Sequence, residues 1–179
     1  MAGGPRATKG RGEGMDSTLR RDIEELHEAS FAWALACCAW RREEAEDVLQ
    51  TAYLKVLDGR ARFDGRATVK TWLFAVIRNT AADRRRRSWL TTLGIERLWQ
   101  RRVELPTTAP AASHEGDPER RRRVREALAA LAARQREVLD LVFFHDLTIE
   151  EAARVMGVSL GSARVHYERG KKRLAERLA

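Results

Sequence analysis

Apolar residues recur at helical spacing through most of the chain, and the clearest example begins at Thr68. From there they fall at i, i+3, i+4 and i+7, the pattern of one buried helix face: Val69, Trp72, Leu73, Val76 and Ile77. The opposite face mixes polar, basic and aromatic residues: Thr71, Phe74, Arg78, Ala82 and Arg85. The pattern predicts a helix with one face in the core, including Trp72, and the other face in solvent.

Two helices are predicted before this one. The first runs from about Thr18 to Trp40, with apolar or small residues at helical spacing: Leu19, Ile23, Leu26, Ser30, Trp33 and Cys37. The second runs from Glu43 to a glycine stop after Asp58, and its acidic start suits the helix dipole. Its predicted inner stripe is Ala45, Val48, Leu49, Ala52, Val56 and Leu57, which leaves Glu46, Asp47, Gln50 and Leu54 towards solvent.

The C-terminal third carries the pattern of a helix-turn-helix. A helix starting at Pro118 uses Val124, Leu128 and Leu131, and another from Arg134 to His145 takes its core from Val138, Leu139, Leu141, Val142 and Phe143. Thr148 then precedes Glu151 at capping-box spacing, and a glycine turn at Gly157 leads into a long basic helix. That last helix is predicted to be buried through Leu160, Ala163, Tyr167, Leu174 and Leu178.

Alternation typical of strands is missing, so the predicted fold class is all-α, with two small helical domains joined by a flexible linker. Three of the four prolines lie in residues 105–118 and mark that linker. The predicted organisation is a disordered basic tail (1–17), an N-terminal domain (18–102), a linker (103–117) and a C-terminal domain (118–179). Residues 89–102 fit equally well an extension of the first domain and a segment that docks on a partner.

Positive charge is concentrated in one segment. Between Arg60 and Arg87 there are nine basic and two acidic residues, a net of +7 in a chain of net +8 with a pI near 10.3. Such charge favours a nucleic-acid partner, with an anionic membrane surface as the alternative. No apolar run approaches the roughly 20 residues of a membrane span and no signal core is present, so we expect a cytoplasmic protein without membrane insertion.

Two surfaces are candidates for contact with DNA. In a helix-turn-helix the second helix enters the major groove, and the helical wheel points to Ser162, Val165, His166 and Arg169, with Arg164 on the flank. In the basic segment, Phe74 beside the arginines, among them Arg78, Arg85 and Arg86, could stack on an unpaired base, and Asn79 could bond a base edge. The alternative for the four arginines is that they bind no partner: basic residues at the C-terminal end of a helix are commonly solvated and interact favourably with the helix dipole.

Residues that would carry catalysis or hold a metal are not indicated. Cys37 and Cys38 are adjacent, without a CxxC or HxxxH pattern, and are predicted to be small buried hydrophobic residues. No catalytic triad, phosphate-binding glycine loop or pair of inward carboxylates is found, so we predict no enzyme activity, no cofactor and no metal.

Two separated blocks resemble the extracytoplasmic-function (ECF) sigma factors of the bacterial sigma-70 family. The first is AEDVLQTAYLKVL (45–57) together with FDGRATVKTWLFAVIRNTAADRRRR, and the second extends from about Ala127 to Leu178. The resemblance implies a sigma factor that binds core RNA polymerase and promoter DNA. The first block would bind the polymerase clamp and the minus 10 strand, and the second would read the minus 35 element.

The resemblance also implies roles for individual residues. Asp47 and Gln50 occupy the family's polymerase-contact positions, although their chemistry alone favours an ordinary acidic helix start. The 60–67 loop, with Phe63 and Arg66, would hold a flipped minus 10 base beside Asn79, which leaves open whether Phe63 or Phe74 receives that base. In the recognition helix the resemblance favours Arg164, Val165 and Arg169. An anti-sigma factor is the further partner that it implies.

The main alternative is a dimeric helix-turn-helix repressor or activator that acts without core polymerase. It would use the first domain for dimerisation, yet residues 18–87 contain no heptad seam. A membrane-surface protein would need an exposed amphipathic segment, and the apolar faces found here are better used as cores.

Overall fold

The computed structural model describes residues 17–92 and 118–178, and within these ranges it forms helices and no strand. The helices are α1 (Ser17–Glu25), α2 (His27–Cys37), α3 (Arg42–Leu57), α4 (Val69–Thr92), α5 (Pro118–Ala129), α6 (Ala133–Phe143), α7 (Ile149–Met156) and α8 (Leu160–Leu178). The predicted all-α class is confirmed. Residues 1–16 of the predicted tail, the linker and residues 93–102 lie outside the described residues, so the predictions for them stay open, whereas Ser17 already belongs to α1.

The first predicted helix is two helices. A one-residue interruption at Leu26 separates α1 from α2, and α2 ends at Cys37 instead of Trp40. The earlier end has a backbone cause, because Ala39 and Trp40 have left-handed φ angles of 52° and 63°, which a right-handed helix cannot continue.

Helix α3 begins and ends within one residue of its prediction and buries most of its expected stripe against α2 and α4: Ala45, Val48, Leu49, Ala52 and Val56. The prediction for Leu57 is wrong, since this last residue of the helix is 58% exposed. The last side chain of a helix can lie beyond the edge of the core on which the preceding turns pack.

The helix-turn-helix is confirmed, with the expected local signals. Thr148 accepts from the backbone N–H of Glu151, whose carboxylate accepts from the N–H of Thr148, so the capping box is complete. Gly157 takes a left-handed φ of 63°, which ends α7 and directs the chain into α8. Phe143, predicted to be core, is 55% exposed at the end of α6, and Leu178 is exposed at the end of α8.

One apolar core connects the N-terminal helices to the C-terminal ones. Helix α4 packs on α2 and α3 with one side and on α7 with another, so it is enclosed between the two halves of the chain. Leu73 and Phe74 of α4 belong to the same cluster as Val138 and Leu141 of α6 and Val155 of α7. Any candidate surface on α4 must therefore be judged by which side of the helix it occupies.

Candidate nucleic-acid interface

Phe74 is buried, and the prediction that it lies on an exposed face is wrong. The residue is fully inaccessible to solvent, and its ring stacks on that of Trp33 with centroids 5.8 Å apart and lies nearly perpendicular to that of His145 with centroids 4.9 Å apart. The indole of Trp33 also donates to the carbonyl oxygen of Phe74 at 3.0 Å. The C-terminal half supplies His145, which the spacing of apolar residues within α4 could not predict.

Other residues of the same α4 face are covered as well. Arg78, also predicted to face solvent, pairs with Glu137 of α6, and only 14% and 18% of the two side chains are exposed. Thr71 is buried beside Glu151, and Lys70 donates to the backbone carbonyl of His145 at 2.5 Å. In this arrangement Phe74 and Arg78 are not available to DNA.

The loop between α3 and α4 presents an aromatic and a basic side chain on a shaped backbone. Gly59 and Gly65 adopt left-handed φ angles of 72° and 73°, which allow two tight turns within a few residues. Between them Phe63 is half-buried, with its ring 5.3 Å from that of Trp72, while the side chain of Arg66 is exposed. Trp72 is itself only partly buried, so its core role is confirmed in part and it also supports the loop.

The C-terminal part of α4 carries the remaining candidates for the minus 10 strand. Asn79, Arg85 and Arg86 are exposed. Arg85 donates to the carbonyl of Cys37 at 2.7 Å, and Arg86 pairs with Asp83 at 3.0 Å. These contacts orient the arginines and still leave donors for phosphate, because each guanidinium carries five N–H groups.

The polar face of α3 is exposed as predicted, at Asp47 and Gln50. Asp47 pairs with Arg84 of α4 at 2.9 Å, so the acidic face and the basic run meet at one place. Gln50 also borders a shallow groove between α2 and α3 whose apolar lining includes Phe31, Leu49 and Tyr53. The periodicity of a single helix does not reveal this groove, because its two walls come from different helices.

The recognition helix α8 leaves most of its predicted groove residues open. Ser162, Arg164, Val165 and Arg169 are exposed, and His166 is half-buried. At the start of the helix, the Ser159 hydroxyl accepts from the backbone N–H of Ser162 at 3.2 Å and contacts its hydroxyl at 2.9 Å. The surface combines cationic, polar and apolar groups, which are the types that contact phosphates, base edges and thymine methyl groups.

Neither cysteine has the surroundings of a reactive thiol. Burial raises the pKa of Cys38 to about 11 and that of Cys37 well above its usual value, so both remain protonated at neutral pH. Within the described ranges no cluster of His, Cys, Asp and Glu side chains could hold a metal ion. None of the helices described is long and apolar enough to cross a membrane.

Comparison with known proteins associates both halves with transcription factors of one kind. Residues 25–91 match the family described as Sigma-70 region 2, and residues 121–174 match Sigma-70, region 4. RNA polymerase sigma factor CarQ of Myxococcus xanthus is 31% identical over 75% of this chain and 74% of its own length. ECF RNA polymerase sigma factor SigX of Bacillus subtilis is 30% identical over 76% of this chain and 72% of its own length.

Two solved structures share the fold. The sigma factor RpoE in complex with the anti-sigma factor NepR from Bartonella quintana aligns with a TM-score of 0.74 at 24% identity, covering 90% of this chain and 96% of that one. CnrH in complex with the cytosolic domain of CnrY aligns with a TM-score of 0.59 at 22% identity, covering 92% and 90%.

Proposed function

This chain belongs to the ECF sigma factors of the sigma-70 family, and we propose that three separate surfaces divide its work in promoter-specific transcription. As a sigma factor it binds core RNA polymerase and directs promoter recognition and initiation. The observation that carries the division is that an exposed recognition helix, an aromatic–basic loop and an acidic helix face occupy different places on one fold. We also place the protein in the cytoplasm, where core polymerase and promoters are found.

The minus 10 surface consists of Phe63, Arg66, Asn79, Arg85 and Arg86. Phe63 lies against Trp72 with part of its ring accessible, so an unpaired base could stack on an already ordered aromatic pair. The arginines supply charge for the phosphates of the separated strand, and Asn79 has both a donor and an acceptor for a base edge. Burial removes Phe74 and Arg78 from this surface.

The minus 35 surface consists of Ser162, Arg164, Val165, His166 and Arg169 on α8. Substitution Arg169→Ala is expected to cost about 1–3 kcal/mol and to act at the minus 35 element, as for a bidentate base contact. Substitution Arg85→Ala should instead weaken binding to all sequences and flatten the salt dependence. Competition binding with altered minus 35 sequences at several salt concentrations distinguishes the two, and equal losses on every promoter would contradict the assignment.

The polymerase surface consists of Asp47 and Gln50, together with the adjacent groove at Phe31, Leu49 and Tyr53. Exposed carboxylate and amide groups beside an apolar groove suit a protein partner, because protein interfaces combine an apolar centre with a polar rim. An anti-sigma factor is a further proposed partner, in keeping with the complex of the sigma factor RpoE with the anti-sigma factor NepR.

Promoter opening requires more free energy than DNA contacts of this chain alone can supply. Separating about ten base pairs costs on the order of 10–14 kcal/mol, at about 1.4 kcal/mol per base-pair step. Stacking of one base on an aromatic side chain contributes only about 1–3 kcal/mol. We therefore expect no open bubble with the isolated protein, and promoter-dependent transcripts only when it is added to core polymerase. Permanganate footprinting and in vitro transcription with and without core test this, and a bubble opened by the protein alone would refute it.

A further inference from the structure

The side of α8 that faces away from the protein core carries a carboxylate. The buried residues of α8, Ala163 and Gly170, mark its inner side. At 100° per residue, the stripe about 180° around the helix from them consists of four exposed residues: Gly161, Val165, Glu168 and Lys172. We propose that Glu168 is a specificity residue, which selects a cytosine in the minus 35 element by accepting a hydrogen bond from its amino group. The inference rests on the proposed function for the placement of α8 in the major groove.

The Glu168 carboxylate lies between basic residues and pairs with neither. Arg164 precedes it by four residues, and Lys172 follows it by four. In the same order and spacing as Arg164 and Glu168, Arg42 does pair with Glu46, at 2.8 Å. Within the part of the chain that the structure describes, Glu168 has no hydrogen bond or ion pair. Its oxygen atoms are therefore available to a ligand of α8.

The chemistry of a carboxylate restricts what it can contact on DNA. Phosphates repel it, so it gains only from hydrogen-bond donors, which in the major groove are the amino groups of cytosine and adenine. Adenine presents the acceptor N7 beside its amino group, and this acceptor would repel a carboxylate. Cytosine presents its amino group without such a neighbour on the same base. Glu168 therefore favours cytosine.

The neighbours of Glu168 on the stripe allow it to approach base edges. A Cβ added at Gly161 would have no atom nearer than the Ser159 hydroxyl at 4.0 Å, so packing within the protein does not require this glycine. The missing side chain lets the first turn of α8 come close to a ligand. Val165, 47% exposed, lies about 4.5 Å before Glu168 along the helix axis, close to the 3.4 Å between base pairs. Val165 can thus contact a thymine methyl group while Glu168 contacts a neighbouring base pair.

The alternative is a solvated carboxylate that only lowers the net charge of a basic helix. Such a charge would weaken binding to every sequence through repulsion of phosphates and would leave base preferences unchanged. Glu176 offers the matched comparison, because it is exposed and, among the described residues, also has no ion pair. It lies eight residues, or about 12 Å, further along α8, whereas base edges are contacted by the N-terminal part of a recognition helix.

Transcription from a promoter library tests the role of Glu168. Each full-length variant is combined with core polymerase and with templates in which every position of the minus 35 element carries all four bases, and transcripts are counted by a barcode in the transcribed region. The variants are Glu168→Ala and Glu168→Gln, with Glu176→Gln as the control and Arg169→Ala as the reference for a base contact. Circular dichroism checks that each variant is folded, as the exposure of these side chains leads us to expect.

The unsubstituted protein should prefer cytosine at one position of the element by about 5- to 150-fold. Glu168→Ala should remove that preference alone, and Glu168→Gln should shift it towards adenine, because an amide can bond both N6 and N7. Glu176→Gln should change no preference. If Arg169→Ala alters one position but Glu168→Ala leaves every preference unchanged, or only raises transcription uniformly, the inference is overturned. If Arg169→Ala alters no position either, the proposed minus 35 surface is itself wrong and the inference fails with it.

Discussion

Substitution of Phe74 by alanine is expected to destabilise the fold, whereas substitution of Phe63 is expected to weaken promoter opening with little loss of stability. The two residues belong to the same basic segment, but their surroundings differ. Phe74 is fully buried between Trp33 and His145, while Phe63 lies half-buried in the loop against Trp72.

The sizes of the two effects follow from these surroundings. A Phe→Ala change in a core costs about 3–5 kcal/mol, and for a chain of this length each kcal/mol lowers Tm by about 2–4 °C. Phe74→Ala should therefore lower Tm by about 6–20 °C. Phe63→Ala should lower Tm by only a few degrees but remove base stacking of about 1–3 kcal/mol, which reduces open-complex formation by about 5- to 150-fold.

Thermal denaturation followed by circular dichroism measures the first effect, and transcription with core polymerase measures the second. Transcription is compared on duplex and pre-melted promoters well below the Tm of Phe74→Ala. The Phe63→Ala defect should be larger on duplex DNA, where captured bases help to offset the melting cost. Leu57→Ala is the matched control, because this side chain is apolar, 58% exposed and outside the proposed surfaces.

The reverse pattern would refute the assignment. If Phe74→Ala kept its Tm but failed on duplex promoters, while Phe63→Ala was fully active, the ring of Phe74 would have to reach DNA. The buried position that the structure gives Phe74 would then be irrelevant to the active state.

Two further predictions concern stability. At Gly170 an added Cβ would lie 3.1 Å from a methyl carbon of Leu139, so Gly170→Ala should lower the free energy of unfolding by about 1–3 kcal/mol. Gly161→Ala, with no atom nearer than 4.0 Å, should instead be neutral or stabilising in thermal denaturation. The hydrogen bond from the backbone N–H of Thr148 lowers the pKa of Glu151 in the folded protein. The ionised carboxylate therefore stabilises the fold fully at pH values above the pKa that Glu151 has in the unfolded chain. This stabilisation is lost as the pH falls through the lower pKa of the folded state. Glu151→Gln should lower Tm at neutral pH and flatten its acid dependence, and an unchanged acid dependence would contradict this reasoning.

Local signals in the sequence predict much of this fold. The capping box at Thr148, the glycine turn at Gly157 and the acidic start of α3 each act within a few residues, so their consequences are readable from the chain. The exposure of Asp47 and Arg169 follows in the same way from helical periodicity. These features need no knowledge of which helix packs on which.

The contacts between the two halves could not be predicted in this way. Thr71, Phe74 and Arg78 recur at i, i+3 and i+7, which is a second helical stripe, but its polar ends resemble a solvated face. Their partners lie 59 to 80 residues further along the chain, as in the pairs with Glu137 and Glu151. The periodicity of apolar residues within α4 identifies the face that packs on α2 and α3. It gives no information about the C-terminal helices that cover a second face.

The second face of α4 combines a buried ion pair with a buried aromatic side chain. A buried ion pair such as Arg78–Glu137 contributes little net stability, since the loss of hydration offsets much of the attraction, whereas an apolar contact would resist separation. Arg78 and Glu137 therefore specify how α6 meets α4, and Phe74 beside them supplies an apolar part of the contact.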